Sequence, residues 1–351
     1  MGSTLTYSGL NTKIHGMKSK LISDGEYAQI AGLSSVPDVI RYLQYHPGYE
    51  DLFPEAPDDS FFHRENLEQI LTLSLYKNFA KIYTFSTMHQ RKFLELYFMH
   101  FETKFLKQVL RKLFNNRPLP VDTGLLRPYF DRFSDIPIDK VRVAQDIEEL
   151  LKNLSGTIYY KPLEKVYKMA EKNLFDYEIS LDLFQFSVFW KLKNKFLKGM
   201  DLEVITDSYG YKIDLLNLQW IYRCKKYYRL TTPQILNIVI PVNYKLKNRQ
   251  IYRLIEAESK EAFMDVLSGT YYGQFVGNFD NISIEKYYNR LMHKRYINIF
   301  RKHPYSLACV NTYLYLQEQE TEKLTLITEG IRYSYPSEEI LKMLNTGGDY
   351  H

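Results

Sequence analysis

Few residues in the chain have types and spacing that suit catalysis. Asp58/Asp59 and Glu148/Glu149 are adjacent carboxylate pairs, the raw material for a general acid and base whose pKa values are split by environment. Both pairs lie at or near helix-start patterns, where acids complement the helix dipole, and that structural role accounts for them. The eight histidines make no i, i+4 pair with one another or with a cysteine, so no helical metal-binding face is written locally. Cys224 and Cys309 stand alone without a CxxC, which excludes a disulfide framework and fits a reducing, cytosolic compartment. No Gly-Lys-Ser/Thr, GxGxxG, HExxH or GxSxG occurs, and Gly269, Gly273 and Gly277 have neither the spacing nor the lysine of a phosphate loop. The expectation is a non-catalytic protein with no cofactor and no metal.

Binding chemistry is better represented. The stretches Trp220–Arg229 and Lys286–Tyr296 interleave Lys and Arg with rings, a pattern that holds single-stranded nucleic acid by charge and stacking. The same spacing puts Tyr and Leu on one helix face and the cations on the other, as in an ordinary core helix with a solvated side. Lys and Arg number 46 against 41 Asp and Glu, a net charge of only +5, so no nucleic acid is expected. A docking face for an acidic protein is the intermediate reading.

These residues must be positioned by helices. A chain of 351 residues with 45% apolar and 25% charged side chains is globular, and 16 Gly and 13 Pro are too few for an all-β sandwich or barrel. Phe93, Tyr97, Phe101 and Phe105, continued by Val109 and Leu113, keep a three/four spacing, and the Gly- and Pro-free run from Leu67 to Phe114 predicts one or two long helices. Leu181–Leu197 and Ser283–Lys302 read the same way. Ile235–Ile240 looks strand-like, but Thr232-Pro233 before it is a helix start, so a short buried helix ended by Pro241 is expected. Residues 1–20 lack the apolar core of a signal peptide. The apolar stretch Ile235–Val242 is far short of the roughly 20 residues a membrane span needs. Any membrane contact is expected at the surface or through another protein.

Internal repetition organises the chain. Leu154-Ser155-Gly156-Thr157-Ile158-Tyr159 recurs as Leu267-Ser268-Gly269-Thr270-Tyr271-Tyr272, and a diverged copy runs from Asp38 to Leu43 with Tyr49 behind it. The anchoring leucines 43, 154 and 267 are 111 and 113 residues apart. A second element repeats in step: Glu102, Leu106, Val109, Arg111; then Asp214, Leu218, Ile221, Arg223; then Glu320, Leu324, Ile327, with Glu329 in place of the arginine. A third, a proline-started helix, follows at Pro120, Pro233 and Pro336. The fold is therefore expected to be all-α, with three pseudo-symmetric lobes at 1–118, 119–230 and 231–351 around a central cleft or funnel. An acid and an arginine nine positions apart lie about 13.5 Å apart along a helix, too far to pair within it. Glu102, Arg111, Asp214, Arg223 and Glu320 are thus candidates for pairing between lobes or for docking a partner.

The order of these motifs resembles the family of the C subunit of archaeal and bacterial A/V-type rotary ATPases, the relative of the d subunit of eukaryotic vacuolar ATPases. The resemblance spans nearly the whole chain. It rests on Asn11–Ile22, on Ser35-Val36-Pro37-Asp38-Val39-Ile40 with Tyr49, on the acid-x-x-x-Leu helices, and on His303-Pro304-Tyr305-Ser306 through Glu320 and Leu324 to Pro336–Ile340. Two departures stand out: the missing arginine of the third copy, and Phe105 before Leu106 where Asn is usual and Asn217 keeps it. The resemblance implies a non-catalytic rotor part shaped as a funnel of three helical lobes. Such a part sits peripherally on the cytoplasmic face of the membrane, on the ring of proteolipid subunits. It receives the central-stalk subunits and passes torque between ATP hydrolysis and proton or sodium transport. Membrane contact would then be indirect, through the ring. The competing expectation is a free-standing helical scaffold that binds RNA or a signalling protein.

Overall fold

A computed structural model describes residues 2–53, 64–115, 119, 122–228, 230–275 and 284–345. Among these residues there are seventeen α-helices and no strand, and no helix is long and apolar enough to cross a membrane. The all-α expectation holds.

Six long helices form three hairpins. They are α4 (Arg64–Phe85) with α5 (Met88–Asn115), α10 (Leu174–Phe196) with α11 (Gly199–Arg223), and α15 (Ile284–Lys302) with α16 (Ala308–Arg332). The apolar run from Leu67 to Phe114 is thus two helices. The break falls at Ser86-Thr87, where the Thr87 N–H donates to Oε1 of Gln90 at 2.8 Å and restarts the chain as a helix. Gly199 opens α11 with φ of +53°, a conformation that costs a residue without Cβ nothing. Between α4 and α5 the space is filled by rings, with Phe79 against Phe98 at 5.3 Å and Tyr76 against Phe101 at 4.7 Å.

The hairpins also pack on each other in sequence. Helix α5 lies on α10, α11 lies on α15, and α16 returns to α4, so the last hairpin closes on the first. The short helices fill the outside. A first group is α1 (Gly2–Lys18), α2 (Asp24–Ala31) and α3 (Val36–Gln44); a second is α6 (Thr123–Phe133), α7 (Ile138–Val143), α8 (Ile147–Asn153) and α9 (Tyr160–Tyr167); a third is α12 (Thr232–Ile238), α13 (Asn248–Glu256) and α14 (Lys260–Ser268). Helix α17 (Ser337–Asn345) packs against α16 and α2. The two ends of the chain consequently share one core. Ile30, Val39, Ile40, Leu43 and Leu71 are buried together with Leu324, Ile327 and Ile340.

The proline-started helices are realised unevenly. Pro233 lies in the first turn of α12, which ends at Ile238 ahead of Pro241, and Pro336 immediately precedes α17. Pro120 lies outside the described residues; the helix that follows it starts at Thr123, with the Asp122 carboxylate accepting the Gly124 N–H at 2.8 Å. Asp58 and Asp59 also fall outside the described residues. Glu148 and Glu149 are in the first turn of α8, where the Asp146 side chain accepts the Glu149 N–H at 2.8 Å.

Candidate functional site

The repeated acids are buried joints. Glu102 on α5, Asp214 on α11 and Glu320 on α16 each accept a phenol proton from a tyrosine that follows a repeated leucine. The distances are 2.6 Å from Tyr159, 2.9 Å from Tyr272 and 2.7 Å from Tyr49. Local geometry explains why the tyrosine turns inward. Thr157 and Thr270 donate their hydroxyls to the carbonyls of Leu154 and Leu267 at 2.8 and 2.7 Å, ending the helix, and accept the N–H of Tyr159 and Tyr272. In the first copy His46 does this work: its N–H donates to the Leu43 carbonyl and its Nδ1 accepts the Gly48 N–H at 3.2 Å.

Each carboxylate has a second partner in the same outer group. Glu102 accepts the Ser134 hydroxyl, Asp214 accepts the N–H groups of Lys245 and Leu246 at 2.7 and 2.9 Å, and Glu320 accepts the Ile22 N–H at 2.6 Å. Burial raises all three acids, and the donated hydrogen bonds only partly offset it: Glu102 is raised, Asp214 is pushed up to about 6 and Glu320 to about 7. The same burial, together with the facing carboxylates, pushes the three tyrosines far above their ordinary range. One turn beyond Asp214, Asn217 clamps Ile240, donating to its carbonyl at 3.1 Å and accepting its N–H at 2.9 Å. Phe105 at the matching place packs on Phe130 at 5.0 Å, so an apolar contact replaces the polar clamp.

The arginines bridge long helices. Arg111 donates to Glu178 of α10 at 2.6 Å, and Arg223 lies 3.9 Å from Glu285 of α15. Both guanidinium groups are exposed. In the third copy Glu329 pairs with Arg332 on its own helix at 2.6 Å. Glu102 does not pair with Arg111, nor Asp214 with Arg223, as the helical spacing requires. The acids and the arginines do not converge on one pocket.

Two clusters were not legible as sites in the sequence. The first is a junction at Asp201, the third residue of α11. Its Oδ2 accepts the Tyr7 phenol at 2.6 Å and lies 3.2 Å from Nε2 of His89, and its Oδ1 accepts the Leu307 N–H at 2.9 Å. One carboxylate thereby ties α1 and the starts of α5, α11 and α16 together. The second lies where α5, α10 and α16 face one another. Glu318 accepts the Tyr97 phenol at 2.7 Å, with His100 at 2.9 Å and Lys104 at 3.9 Å, and Lys107 donates to both oxygens of Asp182 at 2.6 Å. Burial opposes charge on Glu318, but His100 and the Lys104 and Lys212 ammonium groups outweigh it and hold the carboxyl well below its usual range. Lys104, Lys107 and Arg111 recur every three or four residues, so α5 carries a cationic stripe towards these acids, whereas burial lowers His100 to about 4 and leaves it neutral.

The basic-aromatic stretches are mainly structural. Tyr287, Leu291 and Tyr296 are buried on α15, and Tyr222 and Cys224 are buried at the end of α11. There the chain loosens into a π turn, Cys224–Tyr228, that leaves Tyr227 and Tyr228 exposed.

Known proteins share this sequence pattern over almost the full chain. Residues 10–343 match the family model described as ATP synthase (C/AC39) subunit. The A-type ATP synthase C subunit of Methanosphaera stadtmanae is 24% identical over 96% of this chain and 87% of its own length. That of Archaeoglobus fulgidus is 25% identical over 96% and 95%, and that of Methanocaldococcus jannaschii 21% identical over 96% and 86%.

Proposed function

The chain belongs to the ATP synthase (C/AC39) subunit family, and from that premise we propose that it is a non-catalytic central-rotor subunit of a V/A-type rotary ATPase. In this reading it links the central-stalk subunits to the membrane proteolipid ring and transmits torque for proton or sodium transport. It works peripherally, on the cytoplasmic face of the membrane. The repeats 1–118, 119–230 and 231–351 are the lobes of a funnel, and the stalk enters between them.

The observation that carries the reading is cyclic closure. Each acid on a second long helix reaches a tyrosine of the next repeat, and Glu320 reaches back 271 residues to Tyr49. A part that carries torque must resist shear between its lobes. Buried hydrogen bonds to carboxylates, with two donors or more on each, resist sliding better than exposed ion pairs do. Of the charged side chains of α5, Lys104 and Arg111 are exposed and available to an axial partner, where complementary charge sets register.

The test is co-purification of the tagged chain with the stalk subunits and the proteolipid ring of its own complex, read by native mass spectrometry. A complex containing both is expected. Recovery of the folded chain with neither would overturn the reading. Arg223→Ala separates two roles for the arginine: unchanged melting with collapsed stalk affinity would make Arg223 a docking residue instead of an inter-lobe brace.

A further inference from the structure

The end of the molecule at which the three hairpins turn combines an excess of positive charge with exposed apolar side chains. Asp201 gathers the starts of α5, α11 and α16 at this end with the N-terminal part of α1. Two further contacts draw the turns together: the Lys13 ammonium lies over the Phe85 ring at 4.8 Å, and Lys92 lies over Phe196 at 6.0 Å. The segments that form this end, residues 5–13, 83–95, 191–203 and 298–307, hold nine Lys and Arg against three carboxylates, an excess of six. The whole chain has an excess of only five, so this one end carries all of the net positive charge. Lys92, Lys191, Lys195, Lys198, Arg301 and Lys302 are exposed there, whereas Asp201, one of the three acids, is buried.

The same turns present large apolar side chains to solvent. Leu5 is 81% exposed, Met88 77%, Phe85 57%, Met200 44% and Tyr305 43%. They come from α1 and from all three hairpins. Met200 and Lys302 line a hollow, but Glu203, Asp207 and Arg295 share it, and the other apolar side chains are set singly among lysines on separate turns, so no apolar groove for a helix or strand of a partner is built from them. They suit a soft surface that accepts each one separately while its headgroups meet the lysines.

We infer that this end is a direct contact surface for anionic lipid headgroups, with Phe85, Met88 and Met200 entering the interfacial region and Lys198, Arg301 and Lys302 holding the phosphates. The inference does not depend on the rotor reading, because it concerns lipid and not the ring protein.

The experiment is flotation of the purified chain with vesicles of phosphatidylcholine alone or with about 30% phosphatidylglycerol, at low and high salt. Binding is expected only to the anionic vesicles and is expected to weaken with salt. A lysine near an anionic surface contributes roughly fivefold to partitioning. Lys198→Glu with Lys302→Glu is therefore expected to lower it at least 20-fold, and Phe85→Ser with Met88→Ser is expected to abolish the binding that survives high salt. All four side chains are exposed, so circular dichroism and melting should match the parent and confirm that the variants fold. Arg249→Glu with Arg253→Glu, on α13, serves as the control and should bind like the parent. Three results would overturn the inference: no binding to anionic vesicles, equal losses in the control, or tip variants that keep lipid binding but lose the proteolipid ring. The last would make this end a protein interface.

Discussion

Glu320 shows what burying a repeated acid does to the stability of the molecule. The folded chain keeps its proton up to about pH 7, while the unfolded chain releases it near the ordinary 4.5. Between those values the native state binds more protons than the unfolded state, so this contribution to stability is full below about pH 4.5 and falls as pH rises through 7. The loss is on the order of 3 kcal/mol for this group alone. Asp214, pushed up to about 6, adds a loss of the same sign. His100 and His293, lowered to about 4 by burial, contribute with the opposite sign below pH 6.5, so the readout is the difference between parent and variant: by urea denaturation, the stability of the parent relative to Glu320→Gln is expected to fall as pH rises from 5 to 8. Parallel profiles for parent and variant would contradict the assignment. Tyr159→Phe tests the partner side. It removes one of two donors to a buried carboxylate, and a loss of about 1–3 kcal/mol is expected by urea denaturation. A loss below about 0.5 kcal/mol, the order of magnitude of a hydrogen bond of no net value, would show that the joint does not contribute.

Among the helices, the sequence made the elements and their triplication legible but not the connections between them. The spacing rule excluded pairing between Glu102 and Arg111 along one helix, yet it named no partner. A signal was present: Glu102 and Tyr159 are 57 residues apart, and Asp214 and Tyr272 are 58 apart. The third pair hid because its tyrosine precedes its acid by 271 residues, which only a closed arrangement makes equivalent. Asp201 carried no signal, since this acid belongs to no repeat and serves a junction that occurs once. The charged cluster around Glu318 was equally hidden, because Tyr97 reads as a member of an apolar stripe. Helix docking gives a sharper prediction. A Cβ on Gly330 would lie 2.7 Å from Cγ1 of the buried Ile340, so α17 sits on α16 only because residue 330 has no side chain. Gly330→Ala is expected to cost about 1–3 kcal/mol and to speed amide exchange in α17 ahead of the rest of the chain. Unchanged exchange in α17 would refute this. Arg111→Ala should matter much less, about 0.5 kcal/mol, because its guanidinium is exposed where it meets Glu178.

For the whole molecule, cyclic closure makes a claim about chain order. If α5 on α10, α11 on α15 and α16 on α4 are equivalent joints, the ends of this sequence fall at only one of three places where the cycle could be open. The joint at that place, Glu320 to Tyr49 and Ile22, has the same construction as the two joints inside the chain. The cores agree, because residues from both ends, such as Val39 and Ile327, are buried in one cluster. A circular permutant opened between residues 118 and 119 is therefore expected to fold. Its new joint between chain ends would be Glu102 to Tyr159, and Glu320 to Tyr49 would become internal. The linker must span from the end of α17 to the start of α1. Helix α1 has 17 residues and is about 25 Å long, so its far end sets the reach. A Gly/Ser linker of about 20 residues has a mean span of similar size. The permutant is expected to give the same helical circular dichroism and a melting temperature within about 5 °C of the parent, equivalent to a change of no more than about 4 kcal/mol for a chain of this length. A permutant that stays unfolded, or that melts in separate steps while the parent melts in one, would show that the joints are not equivalent and that the natural order of the three repeats is itself required.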